Sequence, residues 1–258
     1  MKGAIRCMAG SISQPQAASR HRWTLTSLVI AAPLFFGSAA VGELAEGYDA
    51  YIKGDFEIAY REFLPIAQAG DRRAAYYLGL MHWDGKGVEK NIDDAVDWLA
   101  QAAAQGHTGA QLSLGLAYER GQGVERNYHL GAQWMSEAAA GGNSAAQYYL
   151  GIYYRDGRGI VQDHDAAYTW LERSLSTGAS SPLFLDALIQ LGVAREWGRG
   201  RAQDLIESYK WYALAAAHSS DDRQIFDQAD RSMGALSTRM SLAQLAEARQ
   251  RADNWRAP

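Results

Sequence analysis

The sequence predicts an all-α fold, a solenoid of stacked helical hairpins, from a pattern that recurs every 36 residues. Three tryptophans and three glycines share this interval: Trp98, Trp134 and Trp170, and Gly79, Gly115 and Gly151. A period of this length indicates one supersecondary unit that buries its apolar face only against its neighbours. The chain of 258 residues is therefore predicted to form one elongated domain after a short leader.

The leader is predicted over residues 1–42. It contains four basic residues and no acidic residue, followed by the apolar run Leu25–Phe36 and then by small residues. This is the order of a secretory signal peptide, and the run is shorter than the ~20 residues that span a membrane. We expect cleavage near Ala39–Gly42 and a periplasmic or secreted protein. An uncleaved inner-membrane anchor is the alternative, and Met8 is an alternative start.

Charge argues against two classes of partner. Removal of the leader changes the formal net charge from −4 to −8, and no basic stripe remains. We therefore expect no nucleic-acid binding, and contact with membranes only through an uncleaved leader. The single cysteine, Cys7, lies in the leader, so the mature chain has no thiol for a disulfide, a metal or catalysis. No cofactor and no metal are predicted.

The first helix of each unit carries a glycine on its apolar face. In the first full unit Leu78 precedes Gly79 and His82 follows three residues later, and the same spacing returns in the next two units with tyrosine in place of histidine. Glycine within a helix costs up to about 1 kcal/mol relative to alanine. We therefore expect a neighbouring helix to approach closely at this glycine.

A Gly-x-Gly pair ends each first helix, and a capping residue starts each second helix. The pairs follow helical segments in every unit, so turn glycines with positive φ explain them better than a phosphate-binding loop does. The predicted N-caps of the second helices are Asn91, Asn127, Asp163 and Asp204, with reciprocal capping boxes at Asp204 with Glu207 and at Ser241 with Gln244. Trp98 and its equivalents lie on the apolar stripe of the second helix, and we interpret them as structural.

Both ends of the predicted stack depart from the pattern. Residues 43–72 are predicted to form a capping hairpin with a short turn, and residues 73–220 four repeats. The fourth repeat is degenerate, since an insertion at Ser180–Phe184 precedes it and arginines replace two apolar residues. Residues 221–258 are predicted to form two capping helices that cover the last apolar face. The first carries Ile225, Phe226, Ala229, Met233 and Leu236, and the second is expected to bury Leu242, Leu245, Ala248 and Trp255.

The run from Ala146 to Tyr154, with Gly157-Arg-Gly, Asp163, Ala167 and Trp170, resembles the Sel-one-like repeat, a relative of the tetratricopeptide repeat. The resemblance covers roughly residues 45 to 217. It implies a right-handed α-solenoid whose members act as adaptors or regulators of protein complexes, in bacteria often within the cell envelope, and it supplies no catalytic residues. Cysteine-rich relatives associated with β-lactam binding carry paired cysteines that this chain lacks.

The sequence contains none of the common acyl-transfer or zinc-protease signatures, and no catalytic residue is predicted. No two histidines of the mature chain have metal-ligand spacing. The acidic cluster Asp93, Asp94 and Asp97 is interpreted as a solvated group at the positive end of a helix dipole.

Partner-binding residues are predicted on a second stripe of the first helices, at positions that vary between units. They are Tyr77, Met81 and Asp84; Ser113, Ala117 and Arg120; Tyr149, Tyr153 and Asp156; and Gln190, Ala194 and Trp197. If the first helices line the concave side, these residues form a groove suited to a protein or peptide. The alternative is that the aromatic members pack between adjacent hairpins.

The function predicted from these observations is that of a non-catalytic scaffold, adaptor or regulator in the cell envelope, with a protein or peptide bound along the groove. The alternative is a cell-wall protein that binds peptidoglycan or a β-lactam, or hydrolyses it. Aromatic groove residues suit both kinds of ligand, so the sequence leaves the two hypotheses open.

Overall fold

The computed structural model describes residues 39–176, 183–219 and 221–256, and within them the chain forms twelve α-helices and no strand. The all-α prediction is confirmed. Most of the predicted leader and part of the predicted insertion at Ser180–Phe184 lie outside the described residues. The helices are α1 Ala39–Lys53, α2 Phe56–Gln68, α3 Arg72–Asp84, α4 Ile92–Ala104, α5 Thr108–Arg120, α6 Tyr128–Ala140, α7 Ser144–Asp156, α8 His164–Ser174, α9 Phe184–Trp197, α10 Leu205–His218, α11 Arg223–Ser237 and α12 Leu242–Asp253.

The helices pack mainly on their neighbours in sequence, as expected of a solenoid. The odd-numbered helices α1 to α9, called the first helices below, each form a hairpin with the following second helix, α2 to α10. Each second helix then packs on the first helix of the next hairpin. At the C-terminal end, α11 and α12 both pack on α10.

The second helices begin where the sequence predicts. The side chains of Asn91, Asn127, Asp163 and Asp204 each accept a hydrogen bond from a backbone N–H in the first turn of the helix that follows. Ser241 and Gln244 form the predicted reciprocal capping box. The one predicted at Asp204 is wrong in its second half, because the Asp204 N–H donates to the Arg195 carbonyl, and Glu207 pairs with Lys210 and Arg251.

The two glycines of each Gly-x-Gly turn have different roles. Gly85, with φ of 72°, ends α3 in the left-handed conformation, and its N–H donates to the Met81 carbonyl. Gly87, with φ of 69°, lies against the start of the preceding second helix: a Cβ here would lie 2.7 Å from the Glu57 nitrogen and closer still to the Phe56 carbonyl group. Gly159 and Gly200 lie against the backbone at the start of α6 and α8 in the same way. Gly123 lies at the start of α4, where a Cβ would first meet the side chains of Ile92 and Val96.

The glycine within each first helix allows the close approach that the sequence predicts. A Cβ on Gly79 would lie 2.7 Å from the Leu99 Cγ and 3.2 Å from the Ala95 carbonyl oxygen, both in α4. Gly115 and Gly151 stand in the same relation to α6 and α8. The tight contact between the two helices of a hairpin therefore requires glycine at this position.

Two buried glutamines join successive hairpins, a feature that the sequence did not suggest. Gln111 in α5 donates from Nε2 to the Ala103 carbonyl of α4 at 3.3 Å, and Gln147 in α7 donates to the Ala139 carbonyl of α6 at 3.2 Å. Each of these carbonyls lies in the last turn of a helix and also accepts the backbone N–H of a turn glycine, Gly106 or Gly142. The amide thereby connects the end of one hairpin to the start of the next.

The fourth repeat accommodates its two arginines by ion pairing. Arg195, which replaces an aromatic residue, pairs with Asp204 at 3.1 Å. Arg201, which replaces an aliphatic residue, pairs with Asp165 at 2.7 Å and lies over the Tyr168 ring at 5.1 Å. Both arginines therefore have partners within the stack, and the degenerate repeat keeps the hairpin geometry.

The capping helices bury fewer residues than predicted. In α11 Ala229 and Leu236 are buried, and Ile225 and Met233 pack half-buried against the core. Phe226 is exposed because it lies to one side of that face. In α12 Ala248 is buried, whereas Leu242 is 87% exposed. Leu242 is the first residue of α12, and its side chain lies beyond the helix's contact with the core. The prediction that Leu242 is buried is therefore wrong, and Phe226 does not take part in covering the apolar face.

Candidate functional site

The middle residue of three of the four predicted triplets belongs to the core, and that of the fourth, Ala194, is half-buried. Met81, Ala117 and Tyr153 are fully buried. A stripe spaced four and three residues apart drifts around the helix, and its middle position turns into the stack; Tyr153 of α7, for example, reaches Gly131 of α6, in the preceding hairpin. The expectation that these three residues face a partner is wrong because their side chains are buried. The aromatic one, Tyr153, packs between adjacent hairpins.

The first residue of each triplet is half-buried and lies at the edge of the core. Tyr77 stacks on Phe63 with ring centroids 5.1 Å apart. The Ser113 hydroxyl donates to the Gly109 carbonyl at 2.9 Å, and Tyr149 meets Tyr148 edge to face at 5.5 Å. Gln190 accepts a hydrogen bond from Arg155 Nη1 at 2.6 Å. Each of these side chains keeps part of its surface accessible to a partner.

The last residue of each triplet is exposed near the end of its first helix. Asp84 pairs with Lys86 at 2.8 Å, and Asp156 pairs with Arg155 and Arg158. Arg120 is exposed at the end of α5, and Trp197, at the end of α9, is 62% exposed. Together with the half-buried positions, these residues form the accessible part of the stripe, which we call the first-helix surface.

An open cavity of about 530 Å³ lies at the N-terminal end of this surface. We call it the aromatic cavity. It lies within the range of ~300–1,000 Å³ typical of ligand pockets. The residues that line it come from α1, α3 and the turn before α5: Leu44, Ala45, Tyr48, Arg73, Tyr76, Tyr77 and His107.

The cavity walls are held by ring contacts. Tyr48 meets Tyr77 edge to face at 5.7 Å, and Tyr76 stacks on His107 at 4.3 Å. Tyr48 nevertheless remains 48% exposed, whereas Tyr76 and Tyr77 are half-buried. The rings are thus fixed by their neighbours and still present a free face, an arrangement that limits the entropy lost when an apolar group binds.

The polar groups around the cavity are hydrogen-bond donors. Burial, followed by the nearby phenols of Tyr48 and Tyr76, raises the pKa of Tyr77 to about 12, so its hydroxyl stays protonated. Burial, with a smaller effect of Arg72, lowers the pKa of His107. Its Nδ1 caps α5 by accepting the Ala110 N–H at 3.2 Å, which leaves the proton of the neutral ring on Nε2.

Arg73 is the one formally charged side chain among the described residues that line the cavity. Its guanidinium pairs with Asp71 at 3.0 Å, and the Arg73 side chain is 55% exposed. Burial opposes ionisation of Asp71, but hydrogen bonds from the Arg73 side chain and from the N–H groups of Ala74 and Arg73 hold its pKa below the usual range. The guanidinium is therefore fixed in place and still accessible.

Of the predicted residues, the structure brings only Tyr77 into this cavity. Five other residues of the stripe lie on later first helices: Ser113, Arg120, Tyr149, Asp156 and Trp197. Tyr48 was missed because the predicted stripe began at α3 and omitted α1 beside it. Arg73, Tyr76 and His107 were missed because they lie outside the spacing that defined the stripe. The consecutive aromatics Tyr76 and Tyr77, and a tyrosine on the preceding first helix, were the signals that could have indicated the cavity.

A smaller cavity of about 230 Å³ lies between α7, α8 and α9, and Asp156 and Gln190 are among its lining residues. Among the described residues no group of three or more His, Cys, Asp or Glu side chains is placed to hold a metal ion. None of the described helices has both the length and the apolar character needed to cross a membrane.

Comparison with known proteins places this arrangement among repeat solenoids. The Sel1 repeat matches four stretches, residues 72–107, 108–143, 144–176 and 185–220, more than half of the chain. A Sel1 repeat protein from Oxalobacter formigenes superposes with a TM-score of 0.65 at 23% identity, over 79% of this chain and 88% of that chain. No curated protein matches the sequence.

A second solved structure is c5321, a protective antigen present in uropathogenic Escherichia coli strains that displays an SLR fold. It superposes with a TM-score of 0.51 at 22% identity, over 83% of this chain and 52% of that chain. At such identities the likeness to both solved structures shows a shared fold.

Proposed function

The chain belongs to the Sel1 repeat family, and we propose that it is a non-catalytic scaffold, adaptor or regulator that binds a protein or peptide in the bacterial cell envelope. Members of this family generally mediate protein–protein interaction, and the family is generally non-catalytic. The leader-like order of residues 1–42 supports the envelope location. The bound segment lies along the first-helix surface.

The observation that carries this proposal is the aromatic cavity. Solvent-accessible aromatic rings in fixed positions, beside an arginine, are the residue types that contribute most to binding energy at protein interfaces. Tyr48 is such a ring, because it is 48% exposed and is held by Tyr77 at 5.7 Å. An apolar side chain of the partner would occupy the cavity, and the rest of its segment would run towards Tyr149 and Trp197.

The proposal is tested by photo-crosslinking in the producing bacterium, with a benzophenone amino acid at Tyr48. The matched control is Tyr128, a tyrosine of similar exposure, 42%, at the start of a second helix. We expect an adduct with a defined protein from Tyr48 that is absent from Tyr128. The purified partner should then bind the wild-type chain and bind Tyr48→Ala more weakly. The same adducts at both positions, or none at Tyr48, would contradict the proposal.

A further inference from the structure

Every polar side chain that lines the aromatic cavity can donate a hydrogen bond, and this restricts what the cavity can hold. Arg73 contributes a positive charge, the Tyr77 hydroxyl stays protonated, and His107 presents an N–H from Nε2. No carboxylate lies among the described residues that line the cavity. A cationic ligand would meet Arg73 with like charge, whereas an anionic acceptor would find several donors.

The backbone amides next to the cavity are already occupied. Asp71 accepts the N–H groups of Arg73 and Ala74 at the start of α3, and His107 accepts that of Ala110 at the start of α5. Free N–H groups of this kind are what usually captures the terminal carboxylate of a peptide. Arg73 is therefore the group at the cavity that is available to bind an anion. A guanidinium can form paired hydrogen bonds with the carboxylate of an Asp or Glu side chain.

Resting on the function proposed above, we propose that the aromatic cavity recognises an internal segment of a partner in which an apolar side chain lies next to Asp or Glu. The apolar side chain packs against Tyr48 and Tyr76 in the cavity. The adjacent carboxylate binds the exposed side of the Arg73 guanidinium, whose other side is held by Asp71. The acidic character of the mature chain outside this site opposes non-specific binding of acidic segments.

The test begins with a library of random dodecapeptides displayed on phage and selected on the full chain. We expect the selected peptides to share an aromatic or branched aliphatic residue next to Asp or Glu. The strongest peptide is then synthesised with both ends blocked, so that no terminal carboxylate is present. Its binding is measured by fluorescence polarisation with the wild-type chain and with Arg73→Gln.

A double-mutant cycle separates recognition from general attraction. Arg73→Gln, and replacement of the acidic residue of the peptide by its amide, should each weaken binding about tenfold, and both together little more than either alone. The control Arg61→Gln, an exposed arginine on α2 that pairs with Glu62, should leave binding unchanged. Thermal melting checks that Arg73→Gln is folded, which we expect because Asp71 still caps α3 in this variant.

The inference is overturned if no peptide is enriched, if the enriched peptides lack the acidic neighbour, or if Arg73→Gln and Arg61→Gln act alike. Its failure differs from that of the proposed function. A Tyr48-specific crosslink to a protein, with binding indifferent to Arg73, would remove the acidic specificity and leave the scaffold proposal standing. Absence of both the crosslink and the enriched peptides would remove the two together.

Discussion

Gly87 lies directly against the carbonyl group of Phe56, so that the turn after the first helix of one hairpin touches the first residue of the preceding second helix. The contact is made by main chain on both sides. Gly159 and Gly200 repeat it with Tyr128 and His164, whereas a Cβ on Gly123 would first meet the side chains of Ile92 and Val96. The spacing between hairpins therefore depends on a position that has no side chain.

This contact predicts a large cost for Gly87→Ala. An added Cβ would clash with backbone that cannot rotate away, and the positive φ would add its own strain. The matched control is Gly54→Ala, since Gly54 also has a positive φ, 86°, but has no atom near a Cβ. We expect Gly54→Ala to lower the free energy of unfolding by about 1–2 kcal/mol. Gly87→Ala should lose about 1–3 kcal/mol more in urea unfolding; equal losses would show that the contact is unimportant.

The two tyrosines of α7 are expected to separate folding from binding. Tyr153 is fully buried, so Tyr153→Ala should lower the free energy of unfolding by about 3–5 kcal/mol. Tyr149 is half-buried at the first-helix surface, and Tyr149→Ala should cost only about 1–2 kcal/mol. Urea unfolding of the two variants measures the difference. A wild-type midpoint for Tyr153→Ala would contradict the assignment of this residue to the core.

His107 predicts a dependence of stability on pH. Its pKa is lowered in the folded chain, so the unfolded chain binds more protons as the pH falls below about 6.5. The contribution of a neutral His107 is therefore fully present above the unfolded pKa and is lost as the pH falls through the folded one. His107→Asn keeps a capping side chain, as Asn143 shows one repeat later, and removes the titration. We expect the urea midpoint to fall less between pH 8 and pH 5 in His107→Asn than in wild type; equal falls would refute this.

Processing of the leader gives a prediction about location. We expect the protein recovered from the periplasmic fraction to begin within or just after Ala39–Gly42, as measured by intact mass. Cleavage there would remove up to four residues of α1 and leave Leu44, Ala45 and Tyr48 in the aromatic cavity. A full-length chain in the membrane fraction would instead support the inner-membrane anchor.

Features that depend on residues nearby in the sequence were predicted well, whereas features that depend on packing between helices were not. Asn91 and Gly85 act on backbone groups a few residues away, so their roles follow from type and spacing. The burial of Met81 and Tyr153 depends on where the neighbouring helices of the stack lie, and a stripe on one helix carries no information about that. The aromatic cavity depends on α1 lying beside α3, and α1 lacks the Gly-x-Gly turn on which the repeats were aligned. Exposure of Leu242 likewise depends on where the surface under α12 ends.

The contact made by the second glycine of each Gly-x-Gly turn also has a consequence for how a repeat protein gains units during evolution. Gly200 touches His164 as Gly87 touches Phe56, although the linker between α8 and α9 is longer than the corresponding linkers before it. Each 36-residue unit thus contains both parts of the contact between units. Its turn glycine contacts the second helix of the preceding unit, and the start of its own second helix contacts the turn glycine of the following unit. Duplication of one unit in the gene would therefore produce a longer chain in which every unit still makes this contact. The surface residues of the new unit could then change to bind another partner while the contacts between units stay the same.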